Sequence, residues 1–148
     1  MTETETETRF DLPDDVQRFV YNDGDEYWYK NGILHREDGP AVIRLNDSKI
    51  WYKNGVYHRE DGPAIIREHG SEEWWINGKL HREDGPAVID AWGKQWWIND
   101  KLHREDGPAI IGEDGSEEWW INGKFLKNSK YDDQKLFKNM KMNIKDGL

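Results

Sequence analysis

The sequence predicts an all-β fold: an elongated, single-layer, twisted antiparallel sheet of stacked β-hairpins with a C-terminal capping helix. Three observations predict it. A short aromatic segment ending in Asn-Gly returns about every 23 residues. A β-branched run follows the turn after a Gly-Pro step in four of the five copies, and helical periodicity is confined to the last twenty or so positions. Two strands per unit is too few for a propeller blade, and no unit contains the helices of ankyrin or armadillo repeats, so stacked hairpins remain.

The N-terminal segment comes first. Residues 1–9 alternate Thr and Glu around a single Arg and predict a disordered acidic tail, lacking apolar side chains to bury. From Phe10 to Tyr21 the pattern fits either one helical turn or an edge strand, and either shields the first unit.

The repeat domain, residues 10–126, holds five copies. His-Arg-Glu-Asp-Gly-Pro-Ala begins at His35, His58, His81 and His103, at steps of 23, 23 and 22 residues. Seven positions before each His stands Trp28, Trp51, Trp74 or Trp96, and Trp119 opens a fifth, truncated copy in which Leu126 replaces the His. Segments such as Ile50-Trp51-Tyr52-Lys53 are short aromatic strands that stop at Asn-Gly, where both residues tolerate positive φ and a tight hairpin turn follows. The fourth copy departs, with Asn99-Asp100. Past the turn, Pro40, Pro63, Pro86 and Pro108 cannot donate to a ladder and mark a recurring bulge or strand start before Ala41-Val42-Ile43 and its equivalents. Residues 127–148 predict a basic amphipathic helix or cap, with the helix over about 130–145: Ser129 and Asp132 fit a capping box, Leu136, Phe137, Met140 and Ile144 form one stripe, and five lysines lie opposite. Such a helix caps the open sheet edge or docks on a partner.

On these residues, from about 26 to 126, the chain resembles the MORN repeat and its bacterial variants. The pattern Trp-Tyr-x-Asn-Gly-x-x-His-Arg-Glu-Asp-Gly-Pro-Ala differs from the common form in placing Arg-Glu-Asp between the His and its Gly. Similar runs occur in reading frames of phages and giant viruses. The resemblance implies a hairpin solenoid that serves as a scaffold for protein contacts, oligomerisation or lipid contact, and it implies no catalytic residues.

Side chains on a strand alternate between faces, so Trp28, Trp51, Trp74, Trp96 and Trp119 are expected on one face and Tyr29, Tyr52, Trp75, Trp97 and Trp120 on the other. One row serves as core; the second covers backbone or forms a contact surface, since a single layer cannot hide both. Tyr29, Tyr52, Trp75, Trp97 and Trp120 are therefore candidate partner-binding residues. Trp92 joins them from outside both rows, on a connector one residue shorter than its equivalents. Glu72, Glu73, Glu117 and Glu118 are the candidate acidic contacts. The histidines repeat at a pitch of about 10 Å, too wide for two nitrogens to share a metal ion at about 2.1 Å each. The same spacing separates the repeated glutamates from one another as acid–base pairs. The heptapeptide is expected to be structural: Asp before a turn, Arg and Glu as ion pairs between repeats, and His packed on a neighbouring ring.

The expected function follows from these exclusions. With 148 residues, no cysteine, no nucleophile motif and no Gly-rich phosphate loop, the chain predicts one non-enzymatic domain without cofactor or metal. Net charge is −9, with nine acids against two bases in residues 1–26 and seven lysines against three acids in residues 124–148. An acidic body disfavours nucleic-acid and membrane partners. No long apolar run or leader pattern is present, which predicts a cytoplasmic protein, in the host cytoplasm if phage-encoded. The leading expectation is a scaffold that binds another protein; the resemblance to phage reading frames, together with the acidic charge, implies a phage-encoded inhibitor of a host (defence) protein, with an acidic surface that mimics nucleic acid. The alternatives are a self-associating module, such as a homodimer, and a small-molecule or nucleotide sponge.

Overall fold

The computed structural model describes residues 12–129, all of them in strands, turns and connectors, with no α-helix. An edge strand, β1 (Val16–Val20), precedes the first repeat, which supplies β2 (Glu26–Lys30), β3 (Ile33–Leu34) and β4 (Val42–Ile43). The second repeat gives β5 (Lys49–Ile50), β6 (Tyr52–Lys53), β7 (Val56–Tyr57) and β8 (Ile65–Ile66), and the third gives β9 (Glu72–Glu73), β10 (Trp75–Ile76), β11 (Lys79–Leu80) and β12 (Val88–Asp90). The fourth contributes β13 (Gly93–Gln95), β14 (Trp97–Ile98), β15 (Lys101–Leu102) and β16 (Ile110–Gly112). The fifth has β17 (Glu117–Ile121) and β18 (Lys124–Asn128).

Twelve of these form one antiparallel sheet in the order β1-β2-β4-β5-β8-β9-β12-β13-β16-β17-β18, with β3 beside β2. The pairs β6-β7, β10-β11 and β14-β15 are separate two-stranded hairpins. Chain order is almost strand order, so each strand finds its partner locally. Within the segment 10–21, left open between helix and strand, Val16–Val20 is the edge strand β1, paired with β2 in the register Arg18↔Trp28 and Phe19↔Tyr27.

The turns follow from residue chemistry. Asn31, Asn54, Asn77, Asn99 and Asn122 have φ of 48–51°, and the residue after each is also at positive φ, the geometry that suits a two-residue hairpin turn. Asp100 holds φ 63° without the freedom of glycine, and its Oδ1 accepts the Leu80 amide at 2.7 Å. That cross-repeat hydrogen bond compensates the unfavourable backbone.

What the heptapeptide does is the main structural finding. In the second repeat Tyr52 faces Tyr57 and Ile50 faces Ile65, so seven residues, His58 to Ala64, stand opposite Trp51 alone. Trp51 closes the mouth of that excursion with its own backbone: its amide donates to Ala64 O at 2.7 Å and its carbonyl accepts from His58 at 3.2 Å. Trp28, Trp74 and Trp96 do the same with their own loops. The expected bulge at Gly-Pro is thus a seven-residue loop, and it splits each repeat into a main-sheet part and a hairpin tip. The fifth copy lacks the heptapeptide, and there Trp119 pairs with Lys127 and Trp120 with Phe125, leaving Leu126 as a one-residue bulge.

Strand β18 runs through Asn128, and the Ser129 hydroxyl accepts the Glu117 amide at 3.4 Å. Lys127 continues the ladder against Trp119, so the strand reaches the first residues of the segment 127–148. The helix expected over about 130–145, and the acidic tail of residues 1–9, lie outside the described residues.

Candidate protein-contact surface

Each loop is organised by its arginine. Arg36, Arg59, Arg82 and Arg104 lie 3.8–4.1 Å over the rings of Trp28, Trp51, Trp74 and Trp96. In the fifth copy Lys127 takes this place, 4.3 Å over Trp119. The guanidinium Nε donates to the Asp two residues on, at 2.8–3.1 Å, and Nη1 donates to the Pro carbonyl four residues on. These arginines thus pair inside their own loop and stack on their own tryptophan, where ion pairs between repeats were expected. The seven-residue excursion brings the guanidinium back over the indole, within reach of the loop Asp, and the stack desolvates one face of it. The approach is close: a Cβ on Gly62 would sit 2.8 Å from Arg59 Cζ, so the guanidinium would have to shift. The arginine hydrogen bond holds the carboxyls of Asp38, Asp61 and Asp84 below their usual range.

The histidines join repeats through a hydrogen bond. Nδ1 of His35, His58, His81 and His103 accepts the backbone amide of Asn54, Asn77, Asn99 and Asn122 in the next hairpin, at 3.0–3.3 Å. An acceptor Nδ1 puts the proton of the neutral ring on Nε2. That nitrogen points toward Glu37, Glu60, Glu83 and Glu105, at 2.7, 3.4, 3.6 and 3.8 Å. Only the first of these is a hydrogen bond, and it lowers the Glu37 carboxyl pKa; His58 Nε2 is buried without one. Backbone bonds reinforce the contact, as where Arg36 N donates to Tyr52 O and Gly55 N to Leu34 O. Among the described residues no group of three or more His, Asp or Glu side chains is placed to hold a metal ion.

Both aromatic rows are half-buried. Tyr29, Tyr52, Trp75, Trp97 and Trp120 share the second face with their cross-strand partners Leu34, Tyr57, Leu80, Leu102 and Phe125. Ring contacts run across this band: Phe19 on Tyr29 at 5.6 Å, Tyr52 on Tyr57 at 4.8 Å, Tyr57 on Trp75 at 5.2 Å and Trp120 on Phe125 at 5.3 Å. Burial raises the pKa of the Tyr29 and Tyr52 hydroxyls. Among the described residues the buried apolar set is small, Ala41, Val42, Ala64, Ile65, Ala87, Ala109 and Ile121, and no large side chain is fully enclosed.

The candidate glutamates are divided. Glu73 accepts the Trp75 indole N–H at 2.9 Å and pairs with Arg67, and Glu118 accepts the Trp120 indole N–H at 2.8 Å. Their work is to orient second-row rings. Glu72 and Glu117 are half-buried in the main sheet opposite Ile89 and Ile111. The exposed carboxylates belong instead to the loops, where Glu37, Glu60, Glu83 and Glu105 and the following Asp project outward. Sequence reasoning missed this row as a surface, although the repeated Glu-Asp dipeptide was its signal.

Trp92 stands apart at 82% exposure. Comparison with family models, curated proteins and solved structures finds no match for this chain. Among the described residues no helix is long and apolar enough to cross a membrane.

Proposed function

We propose that the chain is a non-catalytic, MORN-like repeat scaffold, an elongated single layer of stacked hairpins, that binds another protein through its second aromatic row. The observation that carries this reading is the absence of any fully enclosed large side chain among the described residues, despite aromatic rows on both faces. Tyr and Trp held by cross-strand packing and by Glu73 and Glu118 give a contact surface with few torsions left to freeze.

The specific form of the reading is a phage-encoded inhibitor of a host defence enzyme. The loop carboxylates support it better than Glu73 and Glu118, because they are solvent-facing and recur in each of the four loops. A row of this kind competes with a phosphate backbone for a basic channel. The test is co-purification from host lysate with the tagged chain and with W75A/W97A/W120A, each verified as folded by circular dichroism. Retention of a protein by the parent chain and its loss from the triple variant is the expected result. Equal recovery by both, or by neither, refutes the aromatic surface.

A further inference from the structure

The shortened fourth connector builds a feature that no other repeat has. Ile89 pairs with Lys94 and Asp90 with Gly93, leaving Ala91 and Trp92 as a two-residue turn. The turn is fixed from both sides: Asp90 Oδ1 accepts the Trp92 amide at 2.8 Å, and the Trp92 carbonyl accepts the Glu113 amide at 2.8 Å. Gly93 locks it further, since at φ 137° its backbone lies so close to Ile111 that an added Cβ would meet the Ile111 carbonyl oxygen at 2.0 Å. The Trp92 ring is thus held in water on a rigid backbone.

Beside it lies a hollow of about 320 Å³, lined by Arg67, Ser71, Glu73, Val88, Ile89 and Asp90 with Ala91 and Trp92. Its charges do not balance. Arg67 is neutralised by Glu73, at 2.5 Å, and Glu73 gives its other oxygen to the Trp75 indole. Asp90 remains, with one oxygen on the Trp92 amide and no cationic partner among the described residues. A net negative, partly apolar hollow under an exposed indole is complementary to a cation on an aliphatic stem.

We infer that the hollow is a binding site for a lysine or arginine side chain of the partner protein. The stem lies on Val88 and the indole face, and the charged head meets Asp90. The inference rests on the scaffold reading above and names the chemistry of one contact within it.

The test is titration calorimetry at low salt, using the full chain and a blocked hexapeptide of Ala-Ala-Arg-Lys-Ala-Ala, with the Glu-Glu peptide as counterpart. The basic peptide is expected to bind and the acidic one not. Trp92→Ala should weaken binding about tenfold or more. Asp90→Asn preserves an acceptor for the Trp92 amide, so the turn survives while the charge goes; a severalfold loss and a flatter salt dependence are expected. Unchanged affinity in both variants, preference for the acidic peptide, or no binding of the basic peptide overturns the site. Those results leave the aromatic-row test untouched, because that test reads Trp75, Trp97 and Trp120 by co-purification.

Discussion

At the scale of single residues the chain is governed by a triad in each loop: tryptophan, the arginine that stacks on it, and the aspartate that holds the arginine. Arg59 lies 3.9 Å over Trp51 and is bound by Asp61 and the Pro63 carbonyl. Arg59→Ala removes a half-desolvated stack and two hydrogen bonds and should destabilise the fold by about 1–2 kcal/mol, read by urea denaturation. The aspartates set a pH dependence. The folded-state pKa values of Asp38, Asp61 and Asp84 are lowered, so the unfolded chain binds protons more readily in the acid range. Their contribution is whole above the ordinary aspartate value of about 4 and is lost as pH falls through the lower folded value. Melting temperature should drop on acidification below about pH 4, and Asp61→Asn should flatten that drop. A melting profile unchanged by that variant would refute it.

At the scale of the element, the seven-residue excursion and its tryptophan form one closed unit. Ala41, Ala64, Ala87 and Ala109, the last residue of each loop, are 0% exposed, and each gives its carbonyl to the tryptophan amide. Ala64→Leu must move the strand or the stack and should destabilise by about 1–3 kcal/mol, again by urea melt. The turn at Asn99-Asp100 yields a second prediction. Asp100→Ala loses the bond to Leu80 while keeping the left-handed backbone, and should be about 1–2 kcal/mol less stable than the parent. Asp100→Gly recovers most of that loss through backbone freedom.

Much of this element was legible in the sequence. Asn-Gly turns, the aromatic strands before them and the strand start just past each proline are local signals, each decided within four or five residues. The edge strand from Val16 was only one of two readings, because Pro13-Asp14-Asp15 starts a helix or a turn equally well. The Arg–Trp stack was not legible, since it depends on the chain leaving the ladder for seven residues and returning to the same partner. Nor was the histidine bond to the next asparagine amide, which involves a backbone group that no side-chain pattern reports. Ion pairs between repeats were expected because pitch alone suggests neighbours, whereas a two-residue separation inside a tight loop brings Arg and Asp closer. For the surface, Trp92 was legible as an outlier; the indole partnerships of Glu73 and Glu118 were not, because they form between residues two apart on one face.

At the scale of the whole molecule, the described residues form a series of contacts between adjacent repeats. Each interface carries one histidine bond and a pair of backbone bonds, as at His58 with Asn77, Arg59 with Trp75 and Gly78 with Tyr57. His58→Leu keeps the volume and removes the acceptor, leaving the Asn77 amide unsatisfied. The expected loss is about 1–3 kcal/mol, with faster amide exchange at Asn77 than at Asn54. Equal exchange at both sites would show that the histidine does not clip the repeats together.

Near-identical interfaces also leave the chain short of internal addresses. A loop closing on Trp28 and one closing on Trp51 present almost the same neighbour to an incoming hairpin, so a newly made chain can skip a unit or exchange one with a second molecule. The deviations distinguish the copies: Asp100 bonds the Leu80 amide, the Trp92 carbonyl accepts from Glu113, and in the last copy Leu126 is a one-residue bulge where the others carry a loop. Departures of this kind give an otherwise repetitive chain contacts that differ from one unit to the next.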